Sequence, residues 1–106
     1  MSMFKTAQNV RAVVTLFHNP NIAKSRNLLN YIEKTYPDNA SRRFDFEVND
    51  RQPTKEQLTH LERLAPKYRK EFEAEGIPRP TLVDWFNGKI AVDNESSAKE
   101  ILEEIK

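Results

Sequence analysis

Residues 80–92 read PTLVDWFNGKIAV, and the order of elements is built outward from them. Residues 81–85 (TLVDW) form a strand candidate, and residues 89–92 (KIAV) form a second one. Asn87-Gly88 between them is the strongest hairpin signal in the chain, because both residues tolerate positive φ. These two strands are therefore expected to be an antiparallel pair. Asp84 is the odd residue among apolar neighbours. A central strand would bury its carboxylate, which then needs a hydrogen-bonding or charged partner. Trp85 beside it is expected to anchor packing.

Downstream, Ser97-Ala98-Lys99-Glu100 reads as a capping box. It opens a final helix whose apolar face is Ala98, Ile101, Leu102 and Ile105. Upstream, residues 75–80 (EGIPRP) read as an irregular linker. Thr54-Lys55-Glu56-Gln57 follows Pro53 and is a second capping box. Leu58, Leu61, Ala65, Tyr68 and Phe72 continue from it at steps of three and four. Pro66 sits inside that pattern, where an uninterrupted helix would lose ~3 kcal/mol, so a kink or restart is expected near Ala65. Residues 67–75 mix charges at helical spacing, with Lys67–Glu71 and Arg69–Glu73 as candidate pairs on a solvated face. His60 falls on the polar side of this pattern.

Residues 42–48 (RRFDFEV) alternate. Phe44, Phe46 and Val48 share one face, and Arg43, Asp45 and Glu47 the other, as in an edge strand with one wet face. Residues 11–17 (RAVVTLF) are apolar on both faces, as in a central strand buried between helices. His18-Asn19-Pro20-Asn21 breaks that strand. Asn19 or Asn21 is placed to cap the helix expected over residues 21–35. Ile22, Ser25, Leu29, Ile32 and Tyr36 share a face of that helix, which Leu28 and Tyr31 widen. Residues 37–39 (PDN) end it. The order is β-α-β-α-β-β-α, an α/β chain with a four-stranded mixed sheet flanked by helices. Residues 1–106 are expected to form one domain, with residues 1–10 either flexible or part of an import signal.

Composition narrows the function classes. The chain has 106 residues, 17 Lys+Arg against 16 Asp+Glu, a formal net charge of +1 and no cysteine. Disulfides, thiolate metal sites, iron–sulfur clusters and cysteine nucleophiles are therefore excluded. No apolar run approaches the roughly 20 residues that span a bilayer, so no membrane span is expected. The near-neutral balance, without a basic stripe interleaved with aromatics, gives no case for nucleic acid. The two histidines lie far apart without carboxylates at ligand spacing, so no metal and no cofactor is expected. The first 32 residues carry Lys5, Arg11, Lys24 and Arg26 but no acid. A basic, acid-free N-terminus with hydroxyls suits mitochondrial import, the alternative being the cytoplasm.

The element order is the minimal order of the thioredoxin fold. Residues 76–105 resemble the C-terminal half of thioredoxins through Pro80-Thr81-Leu82-Val83, Phe86-Asn87-Gly88-Lys89 and Ala98 with Ile101-Leu102. That resemblance implies a cis Arg79–Pro80 bond. Residues 15–20 (TLFHNP) with 24–29 (KSRNLL) resemble the arsenate-reductase branch of the same fold. There a catalytic cysteine lies two residues after the proline and a serine-arginine pair three residues later. Ile22 occupies the cysteine position here, and Ser25-Arg26 match the pair. Over the whole chain the sequence resembles a family of small fungal mitochondrial redox proteins. The matching pieces include Phe4-Lys5-Thr6, Thr15-Leu16-Phe17, Arg43-Phe44-Asp45-Phe46-Glu47 and Val83-Asp84-Trp85. Members of that family are expected to carry a redox cysteine before the third strand, and this chain has none.

On such a frame the site is expected where the first strand meets the first helix, since unpaired N–H groups and the helix dipole favour an anion there. The candidates for binding a small anionic or thiol ligand are Asn19, Asn21, Ser25, Arg26 and Pro80; no catalytic residue is assigned. Thiol–disulfide exchange needs a thiolate, which serine, asparagine and histidine do not replace. The expected function is that of a thioredoxin-fold member of an oxidoreductase family, without thiol catalysis, acting as a binding or accessory protein for a protein partner or a small anionic ligand. Two alternatives stay open: a small-molecule reductase of that family whose chemistry is not supplied by a cysteine of this chain, and a cysteine-free engineered scaffold. Whether the chain is an enzyme is thus an open question of the sequence.

Overall fold

A computed structural model describes residues 12–37 and 43–105. Four strands form one sheet: β1 (Ala12–Phe17), β2 (Phe44–Asn49), β3 (Thr81–Asp84) and β4 (Lys89–Val92). Their order is β2-β1-β3-β4. β1 runs parallel to β2 and antiparallel to β3, and β3 runs antiparallel to β4. Four α-helices join them among the described residues: α1 (Ala23–Thr35), α2 (Lys55–Leu64), α3 (Arg69–Glu75) and α4 (Glu95–Glu104). This is the thioredoxin-like α/β arrangement. β1 and β3 are central, and they are the two most continuously apolar runs. Residues 1–10, expected to be flexible or part of an import signal, lie outside the described residues, as do Arg11 and Arg42 of the first two strand candidates and residues 38–39 of the first helix's stop signal.

The period-two alternation of β1 sorts its side chains into two cores. Ala12, Val14 and Leu16 join Leu28 and Ile32 of α1, Leu82 of β3, and Ala98, Ile101 and Leu102 of α4. On the opposite face Phe17 and Val83 join Leu61 of α2, Ala65, Phe72 of α3 and Ile77. Helices cover both faces of the sheet except at Val13, which is 40% exposed, and this is why β1 carries no polar face. The edge strand behaves differently along its length. Phe44 is buried and Phe46 half-buried, but Val48 is 43% exposed. Val48 does share their face, opposite Leu16 across the ladder.

Local chemistry sets the helix ends, and it departs from the sequence reading at three places. At α2 the capping box is formed: Thr54 Oγ1 accepts the Gln57 N–H at 3.2 Å, and Gln57 Oε1 accepts the Thr54 N–H at 3.0 Å. Pro66 breaks the following helix as expected. α2 ends at Ala65 (φ −133, ψ 69), a 3-10 turn spans Pro66–Tyr68, and α3 restarts after it. Arg69 pairs with Glu73 at 3.4 Å, whereas Lys67 lies over the Tyr68 ring.

The first departure is at α4. Its cap is Asn94, whose side chain accepts the Ser97 N–H at 2.9 Å, so Ser97 lies inside the helix. β4 ends at Val92, and Asn94 is then extended (φ −139, ψ 107), the geometry a cap requires. The second is at α1, which starts at Ala23 with Ile22 at the cap position and no side-chain cap; neither Asn19 nor Asn21 serves. The third is the hairpin. β3 ends at Asp84, which pairs with Lys89, so the turn has the four residues Trp85 to Gly88. Gly88 takes φ +67, while Asn87 does not take positive φ.

Asp84 itself explains the longer turn. It is fully buried, and its Oδ1 accepts the N–H groups of Phe86 (3.1 Å) and Asn87 (3.0 Å), while Oδ2 accepts from Asn87 Nδ2 at 2.7 Å. The carboxylate is spent on the turn's own donors rather than on an Arg or Lys. Trp85 anchors packing from just outside the strand. Its Nε1 donates to Thr15 Oγ1 at 2.8 Å, and its ring stands edge-on to Phe17.

Candidate functional site

The C-terminal end of β1 runs into the loop His18-Asn19-Pro20-Asn21, which turns the chain into α1. The His18 N–H still donates to the Asn49 carbonyl at 2.9 Å, extending the β1–β2 ladder by one residue. Asn19 then closes the loop on itself. Its Oδ1 accepts the Asn21 N–H at 2.9 Å, and its carbonyl accepts the Ile22 N–H at 3.0 Å. Asn19 is therefore consumed inside the turn, which is why it does not cap the helix. α1 consequently begins at Ala23, with Ile22 in the cap position, no side-chain cap and no acid in its first turn. The unshared N–H groups at that end carry the positive pole of the helix.

Below the loop lies a bonded chain of three groups. Ser25 Oγ accepts the Asn19 N–H at 3.0 Å and lies 2.6 Å from His18 Nδ1. Ser25 Oγ thus bridges the Asn19 backbone and the His18 ring. Burial pushes the His18 pKa below its ordinary 6.5, and the neighbouring Arg79 charge pushes it the same way; Asp50 opposes them. A serine and a histidine at this spacing have the form of a nucleophile and base. Here the hydroxyl is fully buried and already occupied, and no carboxylate bonds the imidazole among the described residues. The pair holds the loop in place.

Arg79 ties the site together from the other side. Its guanidinium donates to the carbonyls of His18 (3.3 Å), Asn49 (2.8 Å) and Arg51 (2.7 Å), gathering the C-terminal ends of β1 and β2. It also lies over the Phe17 ring. Burial holds its pKa below the ordinary guanidinium value, against the pull of Asp50. The Arg79–Pro80 peptide is cis, as the thioredoxin resemblance implies. His18, Asn19, Pro20, Asp50, Gln52, Ile77 and Arg79 line an open cavity of about 330 Å³.

Of the five residues expected at the site, Asn19 lines this cavity and Ser25 supports it from beneath. Arg26 is exposed and donates to the Pro20 carbonyl at 2.8 Å, bracing the loop. Asn21 is exposed at the loop's outer side. Pro80 is buried, and its carbonyl accepts the Asp93 N–H at 2.9 Å, tying the linker to the end of β4. Sequence reasoning places His18 beside the site without making it a ligand candidate, and it misses Arg79. His18 carried a signal, since it follows the strand directly and precedes the helix-breaking Asn19-Pro20. Arg79 carried none, because its three partners are backbone carbonyls, which no side-chain pattern reveals.

Among the described residues no group of three or more His, Asp or Glu is placed to hold a metal, and no helix is long and apolar enough to cross a membrane.

Residues 4–75 match the family model of DUF1687, described as a protein of unknown function, and the chain belongs to that family. The matched span contains the His18–Arg26 loop and helix start but not Arg79, Pro80 or the hairpin. No curated protein and no solved structure matches the chain.

Proposed function

We propose that this chain is a thioredoxin-fold protein of a mitochondrial redox family that works as a binding or accessory protein, taking a small anionic or thiol ligand at the start of α1. The observation that carries this reading is the uncapped, acid-free N-terminus of α1 at Ile22. It follows the loop that Ser25, Arg26 and Arg79 brace. A helix start with unshared N–H groups stabilises negative charge. The chain has no cysteine, so it supplies no thiolate of its own, and any thiol would come with the ligand or partner. The redox and mitochondrial assignments are supported by the likeness of the Val83-Asp84-Trp85 and Phe44-Asp45-Phe46 segments to fungal mitochondrial redox proteins. The acid-free basic N-terminal stretch adds to the mitochondrial one.

Titration with glutathione and with sulfate, read from backbone amide resonances, tests the binding. Saturating shifts confined to residues 21–25 at millimolar ligand are expected. No shift there removes this site from the reading. A disulfide-reductase assay of the purified protein should show no turnover, and clear turnover would overturn the non-thiol assignment.

A further inference from the structure

A second surface lies on the other side of Thr15, at the start of β1. Val13 is 40% exposed although it sits on a central strand. It faces the side of the sheet that α2 and α3 close, but α2 reaches this corner only with its polar first turns. Val13, Thr15, Glu47, Glu56, Gln57, His60 and Trp85 line a shallow depression of about 300 Å³. Each wall has a distinct chemistry. The floor is Val13 and Thr15. One wall is the half-buried Trp85 indole, fixed by the Nε1 bond to Thr15 and by the His60 ring standing edge-on at 5.2 Å. The rim carries two exposed carboxylates, Glu47 from β2 and Glu56 from the first turn of α2. Neither carboxylate makes an ion pair or hydrogen bond among the described residues.

We propose that this corner docks a basic side chain, arginine or lysine, carried on an apolar-flanked segment of a partner protein. Negative charge on the rim surrounds an apolar floor, the complement of a basic side chain with an aliphatic stem. An immobilised indole attracts a cation at its ring, most strongly where water is excluded. Two unpaired carboxylates across a shallow cavity supply the counter-charge, and the aliphatic stem of a lysine or arginine covers Val13. The same carboxylates repel phosphate, which disfavours nucleic acid and anionic lipid as occupants. Because Trp85 is already held from three sides, little ordering is lost on binding. This surface shares no residue with the α1 N-terminus, so it stands or falls separately from the anion site.

Trp85 is the chain's single tryptophan, so its fluorescence reports on this corner alone. The experiment titrates the protein at low salt with the blocked peptides Val-Arg-Val, Val-Glu-Val and Val-Ala-Val. The expected result is a saturable change with the arginine peptide only. The double substitution Glu47→Gln, Glu56→Gln should weaken that binding about fivefold. Both residues are exposed, so the circular dichroism spectrum should stay unchanged and show that the fold survives. Three outcomes overturn the proposal. One is equal response to all three peptides, which would mark an apolar site without charge selection. Another is arginine-peptide binding that survives the double substitution undiminished. The third is no response to the arginine peptide up to ~10 mM.

Discussion

His18 sits where a strand, a loop and a helix meet, and its surroundings favour the neutral ring. Burial and the Arg79 charge both lower its pKa from the ordinary 6.5. Below 6.5 the unfolded chain takes up a proton that the folded chain resists, so stability is full above 6.5 and falls as pH drops below it. Melting temperature measured between neutral and mildly acidic pH should decline on the acid side, and His18→Gln should flatten that decline. An unchanged slope in the variant would show that His18 does not control it. This residue could be noticed in the sequence by its place before Asn19-Pro20. Its lowered pKa could not, because that depends on burial in the folded chain and on Arg79 far along the sequence.

At the scale of elements, caps and turns were read well where the side chain acts on its own neighbours in a simple spacing. Thr54 and Gln57 do so, and Pro66 breaks the helix where its ring must. The hairpin lies where Asn87-Gly88 marks it, but its turn is longer, because a buried side chain competes with the Asn-Gly preference. Asp84 collects two backbone donors and one amide, and this lengthens the turn to four residues. Asp84→Ala should therefore destabilise the protein by about 2 kcal/mol, since it strands those donors. Asp84→Asn, which keeps one acceptor oxygen, should cost about half as much. Urea denaturation measures both; equal losses would mean that the carboxylate does not act through the turn. Asn19 and Asn21 both precede α1, and Asn94 lies three residues before the Ser97 expected to cap α4. Only the three-dimensional path of the loop shows that Asn19 is used up in its own turn and that Asn94 takes α4.

For the whole molecule, the order of strands and helices was legible because two central strands must be apolar on both faces and an edge strand need not be. The cis Arg79–Pro80 bond followed from likeness to thioredoxins rather than from any physical pattern in the chain. What the order could not show is how the ends of β1 and β2 are held, which falls to Arg79 and backbone carbonyls. The central claim is that this cysteine-free frame keeps an anion-favouring helix start at Ile22. Installing a thiol there tests it directly. Ile22→Cys introduces the chain's single cysteine, and its pKa can be read from ultraviolet thiolate absorbance against pH. The reference is Asn27→Cys, exposed further along the same helix. The account predicts an Ile22→Cys thiol pKa at least about one unit below the ordinary ~8.5, with the reference near that value. A pKa at or above ~8.5 at position 22 would contradict it.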